Sequence, residues 1–360
     1  MAKCLTILGI ESSCDETAAA VVRLDAQGSS QTLSNVVLSQ TADHAIFGGV
    51  VPELAARAHI THMDGLIKQA MDEAGLTFKQ LDGVAATAGP GLIGGLLVGM
   101  MTAKAIAMAH GLSFLGINHL EGHALTPGLT QNLAPPYLLL LVSGGHTQIV
   151  SVEAVGNYKR YGTTIDDALG EAFDKTAKLL NLGYPGGPAV EKAALTGNPD
   201  RFDFPQPLKG KPNCNFSFSG LKTAVRQKAQ GLEKITDRDV GDICAAFQAA
   251  VVGSVTDRLN NAMERFSQSH RDNADPVLVV AGGVAANRHL RQGLHDICHK
   301  HGFTLSVPPI NLCTDNAAMI AYVGALRLQR GEEDELDLSV RARWPLDPQG
   351  TPEPFAGVKA

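Results

Sequence analysis

A chain of 360 residues, 44% of them hydrophobic, can form two domains that each bury a core without disulfides or structural metal. Its net charge of −6 excludes a protein that grips nucleic acid by bulk electrostatics, so any RNA contact needs a local basic patch or a partner. Six scattered cysteines with no C-x-x-C pair, an N-terminus without signal-peptide character, and no unbroken apolar run of about 18 residues predict a soluble, cytoplasmic protein with reduced thiols and no membrane span.

In chain order, Leu5–Ile10 is a short apolar strand, followed after a polar turn by a second strand, Ala18–Leu24, and a third, Thr32–Ser39. Helical periodicity over Val51–Ala74 stops at Gly75. Leu81–Thr87 is strand-like and leads into the glycine-rich stretch 89–95. An apolar helix then runs to about His110 and ends at Gly111. With Gly95 and Gly99 on one face, it reads as core, a pairing surface being the alternative. Phe114–Asn118 is another short strand.

A second cycle starts after Pro135 and Pro136, with strand Tyr137–Val142, turn Ser143–His146 and strand Thr147–Val152. Asp166–Leu182 and Asp237–Gln268 are helical, and Asn198–Ser219 is a long ordered loop or insertion. Pro276–Ala281 is a strand, Asn287–His301 a helix, and Asp315–Gln329 the final helix. Both halves open on a strand–turn–strand unit, which suggests an internal duplication. Such halves describe an α/β fold of the duplicated actin-like ATPase and sugar-kinase (ASKHA) type, two lobes around a nucleotide cleft. The expected N-terminal lobe is 1–130, completed by a C-terminal helix at 313–335. The C-terminal lobe is 131–312 with an insertion at 198–235, and 336–360 is a peripheral tail. The first turn carries carboxylates, whereas the second, around Gly144 and Gly145, offers bare N–H groups of the kind that nest an anion.

His119-Leu-Glu-Gly-His123 puts two imidazoles four residues apart on one helical face, where both can reach one metal. His295 and His299 share the spacing, but they lie at the C-terminal end of a charged helix, where solvated histidines complement the dipole. Zinc proteases place a glutamate directly after the first histidine. Here Glu121 comes one residue later, which turns it about 200° from His119 and out of reach of a bound water. Asp315 is a third ligand or an N-cap of the final helix; the spacing leaves both open.

Many motifs, in order, carry a resemblance. They include Gly9-Ile-Glu-Ser-Ser-Cys-Asp-Glu-Thr17, Thr87-Ala-Gly-Pro-Gly-Leu92, His119-Leu-Glu-Gly-His123 and Leu141-Val-Ser-Gly-Gly-His-Thr147. Tyr184-Pro-Gly-Gly-Pro188, Phe216-Ser-Phe-Ser-Gly-Leu-Lys222, Gly282-Gly-Val-Ala-Ala-Asn287 and Cys313-Thr-Asp-Asn316 continue the series. Together they resemble the TsaD family, bacterial branch, with Ser12 where the family more often has threonine. The resemblance implies a divalent metal, Fe2+ or Zn2+, on His119, His123 and Asp315. It also implies an adenylate held against Leu141, Val142, Ser143, Gly144, Gly145, Asp174, Gly187 and Asn287. The implied substrate is threonylcarbamoyl-AMP, and the implied reaction moves its threonylcarbamoyl group to N6 of the adenosine beside the anticodon in tRNAs that read ANN codons.

Asp15 and Glu16, in the first turn, are the acids expected to take part in proton transfer. The implied partners are tRNA, a catalytically inactive TsaB-like paralogue and a small TsaE-like ATPase. Lys159, Arg160, Lys209, Lys211, Lys222, Arg226 and Lys228 offer local cations for RNA. Three rival readings are a kinase or chaperone of the same superfold, a non-catalytic subunit of a tRNA-modifying complex, and a secreted glycoprotease. The first has no need of the histidine pair, the second no reason to keep the acidic turn with it, and the third conflicts with the position of Glu121.

Overall fold

The computed structural model describes residues 3–350 and divides the chain into two compact units. The first comprises residues up to Pro135, then Ala154–Gly156 and Pro308–Pro348; the second comprises Pro136–Glu153 and Asn157–Val307.

The first unit holds β1 (Leu5–Glu11), β2 (Glu16–Leu24), β3 (Ser30–Ser39), α1 (Thr41–Ala45), α2 (Pro52–Ala74), β4 (Gly83–Gly89), α3 (Ile93–His110), β5 (Ser113–Asn118) and α4 (His119–Gln131). The second holds β6 (Tyr137–Val142), β7 (Thr147–Ala154), β8 (Asn157–Thr163), α5 (Leu169–Leu179), α6 (Gly186–Ala194), α7 (Ser219–Gln230), α8 (Asp237–Ser269), β9 (Val277–Ala281), α9 (Arg288–His301) and β10 (Thr304–Ser306). The chain then returns to the first unit with α10 (Ile310–Cys313) and α11 (Ala317–Gln329).

The sheets are ordered β3-β2-β1-β4-β5 and β10-β9-β6-β7-β8. Read from the far end, the second repeats the first strand for strand. In each, the leading strand pairs antiparallel with its hairpin partner (β1 with β2, β6 with β7) and parallel with the next crossover strand (β1 with β4, β6 with β9). The expected duplication is therefore present in topology.

Alternation along the strands decides what covers each face. In the first unit, Leu8, Ile10, Val84 and Ala86 meet Met63, Ile67, Met100 and Ala103 of α2 and α3. The opposite face carries Gly9, where a Cβ would lie 2.3 Å from the Ala317 carbonyl, so α11 packs directly on the backbone of β1. That close approach fixes where Asp315, two residues before α11, must lie. In the second unit, Leu138, Leu140 and Val280 pack with Phe173, Phe216, Phe218 and Phe247.

One expected boundary needs correcting. The helix expected over 166–182 begins only at Leu169. Asp166 is held elsewhere: its carboxylate accepts from the Ser217 hydroxyl and from the Phe218 and Ser219 amides, capping the start of α7. α3, although interrupted by Thr102 and Lys104, has 18 residues that are long and apolar enough to cross a membrane by length and composition, with a third of them buried. Gly95, Leu96, Gly99, Met100, Ala103 and Ala107 form its buried face.

After α11 the chain straps over the first unit. The Asp334 carboxylate accepts from the Gly116 amide, the Arg341 amide donates to the Ala88 carbonyl, and Asn118 Nδ2 donates to the Trp344 carbonyl.

Candidate functional site

β5 ends at Asn118, whose side chain accepts from the Leu120 amide and caps α4. His119 and His123 thus occupy the first turn and a half of a helix that leaves the end of a parallel strand. Downstream, the N-cap of α11 is Asn316, whose side chain accepts from the Met319 amide at 3.0 Å. The cap of α11 is therefore Asn316 and not Asp315. The Asp315 carboxylate is turned to the histidines.

His123 Nε2 lies 3.0 Å and His119 Nε2 lies 3.3 Å from Asp315 Oδ1. One donor atom from each of the three residues falls within 4.8 Å of the others, a group that could hold a metal ion. His119 and His123 are buried; the Asp315 side chain is 21% exposed. His123 Nδ1 is buried with no hydrogen-bond partner among the described residues, so this ring's polar engagement is through Nε2 alone. Burial disfavours charge on His119 and Asp315, yet their mutual attraction prevails. His119 is pushed well above the usual imidazole range by Asp315 and Glu11, and Asp315 is held well below the usual carboxylate range by His119 and His123. Two imidazole nitrogens and one carboxylate are a donor set of the kind that holds a divalent metal ion.

Glu121 points elsewhere, as its spacing predicts: its carboxylate accepts from the Gly156 amide at 3.2 Å.

The β1–β2 turn is buried or half-buried throughout. The Ser12 hydroxyl donates to the Gly95 carbonyl, the Leu92 amide donates to the Ser13 carbonyl, and His59 Nε2 lies 3.1 Å from the Cys14 carbonyl. Asp15 and Glu16 end this turn. Burial, then Asp315 and Asp15, raise the Glu16 carboxyl to about 9. The same surroundings push the Cys14 thiol well above its usual value, burial first and Asp15 next.

The residues assigned to an adenylate all lie in the second unit. Leu141 and Val142 are fully buried at the end of β6. The Ser143 amide donates to the His146 carbonyl and the His146 amide to the Ser143 hydroxyl, which closes the turn and leaves Gly144 and Gly145 at its tip. A Cβ on either glycine would meet nothing within 4 Å. A Cβ on Gly170 would lie 2.6 Å from the Ser143 carbonyl, so the first turn of α5 abuts this hairpin. The Asp174 carboxylate, further along α5, accepts from the Gly186 amide at 2.8 Å. A Cβ on Gly187 has open space. Asn287 caps α9 by accepting from the Leu290 amide, and it donates to Gln248, so its helix-terminal role is realised. Of the cations offered for RNA, Lys222 is engaged by Asp167 at 2.7 Å.

Sequence reasoning missed Glu11, Ser13 and Thr87 as members of the site. The Glu11 carboxylate lies 2.9 Å from His119 Nδ1 and accepts from the Ser13 amide and the Thr87 hydroxyl. The one signal available was an ionisable residue ending an otherwise apolar strand.

Residues 31–322 match the family described as TsaD: tRNA N6-adenosine threonylcarbamoyltransferase. Proteins of that description from Brucella anthropi and Brucella suis are each 61% identical over 348 residues, covering 97% of this chain and 97% of the relative. Among solved structures, HypF of T. kodakarensis superposes with a TM-score of 0.62 at 14% identity over 91% of this chain. The match covers 48% of HypF, so this chain spans about half its length. That likeness is of fold alone, and it agrees with the duplicated actin-like ATPase and sugar-kinase architecture.

Proposed function

We infer the activity from the premise that the chain belongs to the TsaD family, the tRNA N6-adenosine threonylcarbamoyltransferases. It transfers the threonylcarbamoyl group of threonylcarbamoyl-AMP to N6 of the adenosine beside the anticodon of tRNA, with AMP as the leaving group. The observation that carries this reading is the meeting of His119, His123 and Asp315 at one locus in a chain so similar to named transferases. A divalent ion held there, iron or zinc, supplies Lewis-acid polarisation of the threonylcarbamoyl carbonyl when bound.

The rest of the task falls to the chain's own groups. The Gly144 and Gly145 amides receive the phosphate, because no side chain obstructs the approach to them. The abutting N-terminus of α5 adds favourable potential for an anion. Asp174 and Gly187 accept the ribose side of the adenylate, with Leu141, Val142, Ser143 and Asn287 shaping the wall. An exocyclic aromatic amine is a weak nucleophile and must lose a proton as it attacks. Asp15 or Glu16, at the end of the acidic turn, takes that proton.

An inactive paralogue seats on the outer face of α3, where Ile93, Leu97, Met101 and Met108 are exposed, with Leu54 and Ile60 of α2 beside them. It and a small ATPase complete the cycle and help a chain of net charge −6 engage tRNA.

The test is mass spectrometry of nucleosides from tRNA incubated with the protein, these partners, threonine, bicarbonate and ATP. N6-threonylcarbamoyladenosine is expected. Unmodified adenosine accompanied by phosphoryl transfer from ATP would favour the kinase reading of the same fold.

A further inference from the structure

We propose that Glu11 is a positioning residue of the metal centre, holding His119 in the tautomer and orientation that present Nε2 to the ion. The inference rests on the reading that His119, His123 and Asp315 take a metal, and it adds a role for a residue that need not touch the ion or the substrate.

Glu11 is the last residue of β1 and has no exposed surface. A carboxylate there is costly unless hydrogen bonds and positive charge compensate it. Both oxygens are engaged: Oε1 accepts from the Ser13 amide at 2.6 Å, and Oε2 accepts from the Thr87 hydroxyl at 2.5 Å while facing His119 Nδ1 at 2.9 Å. An ionised carboxylate can only accept, so His119 Nδ1 must carry the proton. A metal ion at the site would take the place of the proton on Nε2, the nitrogen that faces Asp315, and leave Nδ1 protonated against Glu11. The Ser13 hydroxyl, 3.2 Å from Nδ1, is a second group on the same side of the ring.

His123 makes the contrast. Its Nδ1 has no partner among the described residues, so the two imidazoles are braced unequally. His119 is the anchored ligand, and His123 is set by packing and by Asp315. Asp315 and Glu11 together also bring two negative charges to the locus, enough to balance one divalent ion.

The test uses the full chain, stripped of metal and titrated with Zn2+ against a chromophoric chelator. Glu11→Gln keeps the shape of the side chain and removes its charge; it should weaken Zn2+ binding roughly 10- to 100-fold. Binding within twofold of the unsubstituted chain would overturn the proposal. His119→Ala serves as the control for the underlying reading: if it binds Zn2+ as tightly as the unsubstituted chain, the metal centre itself is misassigned.

A second measurement avoids a buried substitution that could impair folding. Nitrogen-15 NMR of the Zn2+-loaded, unsubstituted protein should show His119 bound through Nε2, with a slowly exchanging Nδ1 proton. A His119 bound through Nδ1, or an Nδ1 proton exchanging as fast as that of an exposed ring, would overturn the assignment.

Discussion

The turn between β1 and β2 is filled with side chains, whereas the turn between β6 and β7 is bare main chain at its tip. Both join an antiparallel hairpin at the same place in sheets of the same strand order. Glycine placement accounts for the difference. In the first unit the glycines lie on the facing segment: a Cβ on Gly91, Gly95 or Gly99 would come within 2.3–2.7 Å of Ser12 or Ser13. Their absence of side chains lets α3 press against the acidic turn and immobilise its serines and carboxylates. In the second unit the glycines are in the turn itself, where Gly144 and Gly145 face open space. One scaffold thus yields a turn that offers ordered side chains and another that offers amides.

The largest effect should come from the side chains next to the crowded turn. His119→Ala or His123→Ala should lower metal affinity by more than about 100-fold and abolish nucleoside modification, as read by metal analysis and nucleoside mass spectrometry. Retained metal with full turnover in either variant would break the comparison, since the first unit would then not work through side chains.

The same substitution in the two settings gives the next test. Gly95→Ala should destabilise the protein by about 1–3 kcal/mol in urea unfolding, because the Ser12 carbonyl cannot yield easily. Gly145→Ala should leave stability within about 0.5 kcal/mol while weakening AMP binding measured by calorimetry. Equal effects on stability would remove the distinction between the two turns.

A further test is pH dependence. In metal-stripped protein, folded Glu16 keeps its proton until about pH 9, while the unfolded chain loses it near 4.5. Unfolding therefore releases a proton across that window, and stability falls as pH rises through it. Melting temperatures at pH 5 and pH 8 should show a larger drop for the unsubstituted chain than for Glu16→Gln. A drop of equal size in both would remove Glu16 from the charged neighbourhood of Asp315.

Much of this organisation was legible in the sequence. The leading strands are nearly continuous apolar runs, Leu5–Ile10 and Tyr137–Val142, and a polar turn between such runs is a strong local signal. His119 and His123 were legible because helical periodicity alone puts them on one face. Asp315 was ambiguous, since a short polar residue before a helix reads equally well as a cap; in the fold Asn316 is the cap. Several elements were missed, α1, α7 and α10 among them. β8, Asn157-Tyr-Lys-Arg-Tyr-Gly-Thr163, has little apolar alternation; α6 opens on Gly-Gly-Pro, a turn signal; β10 has only three residues. The role of Glu11 was hard to read for a different reason. Its partners Thr87 and His119 lie 76 and 108 positions away, and only the parallel pairing of β1 with β4, and β4 with β5, brings them together.

The most direct test of the account is anomalous diffraction at the metal edge from crystals of the metal-loaded protein. The account predicts one peak bonded to His119 Nε2, His123 Nε2 and the Asp315 carboxylate. A peak on other residues, or none at these three, would contradict it.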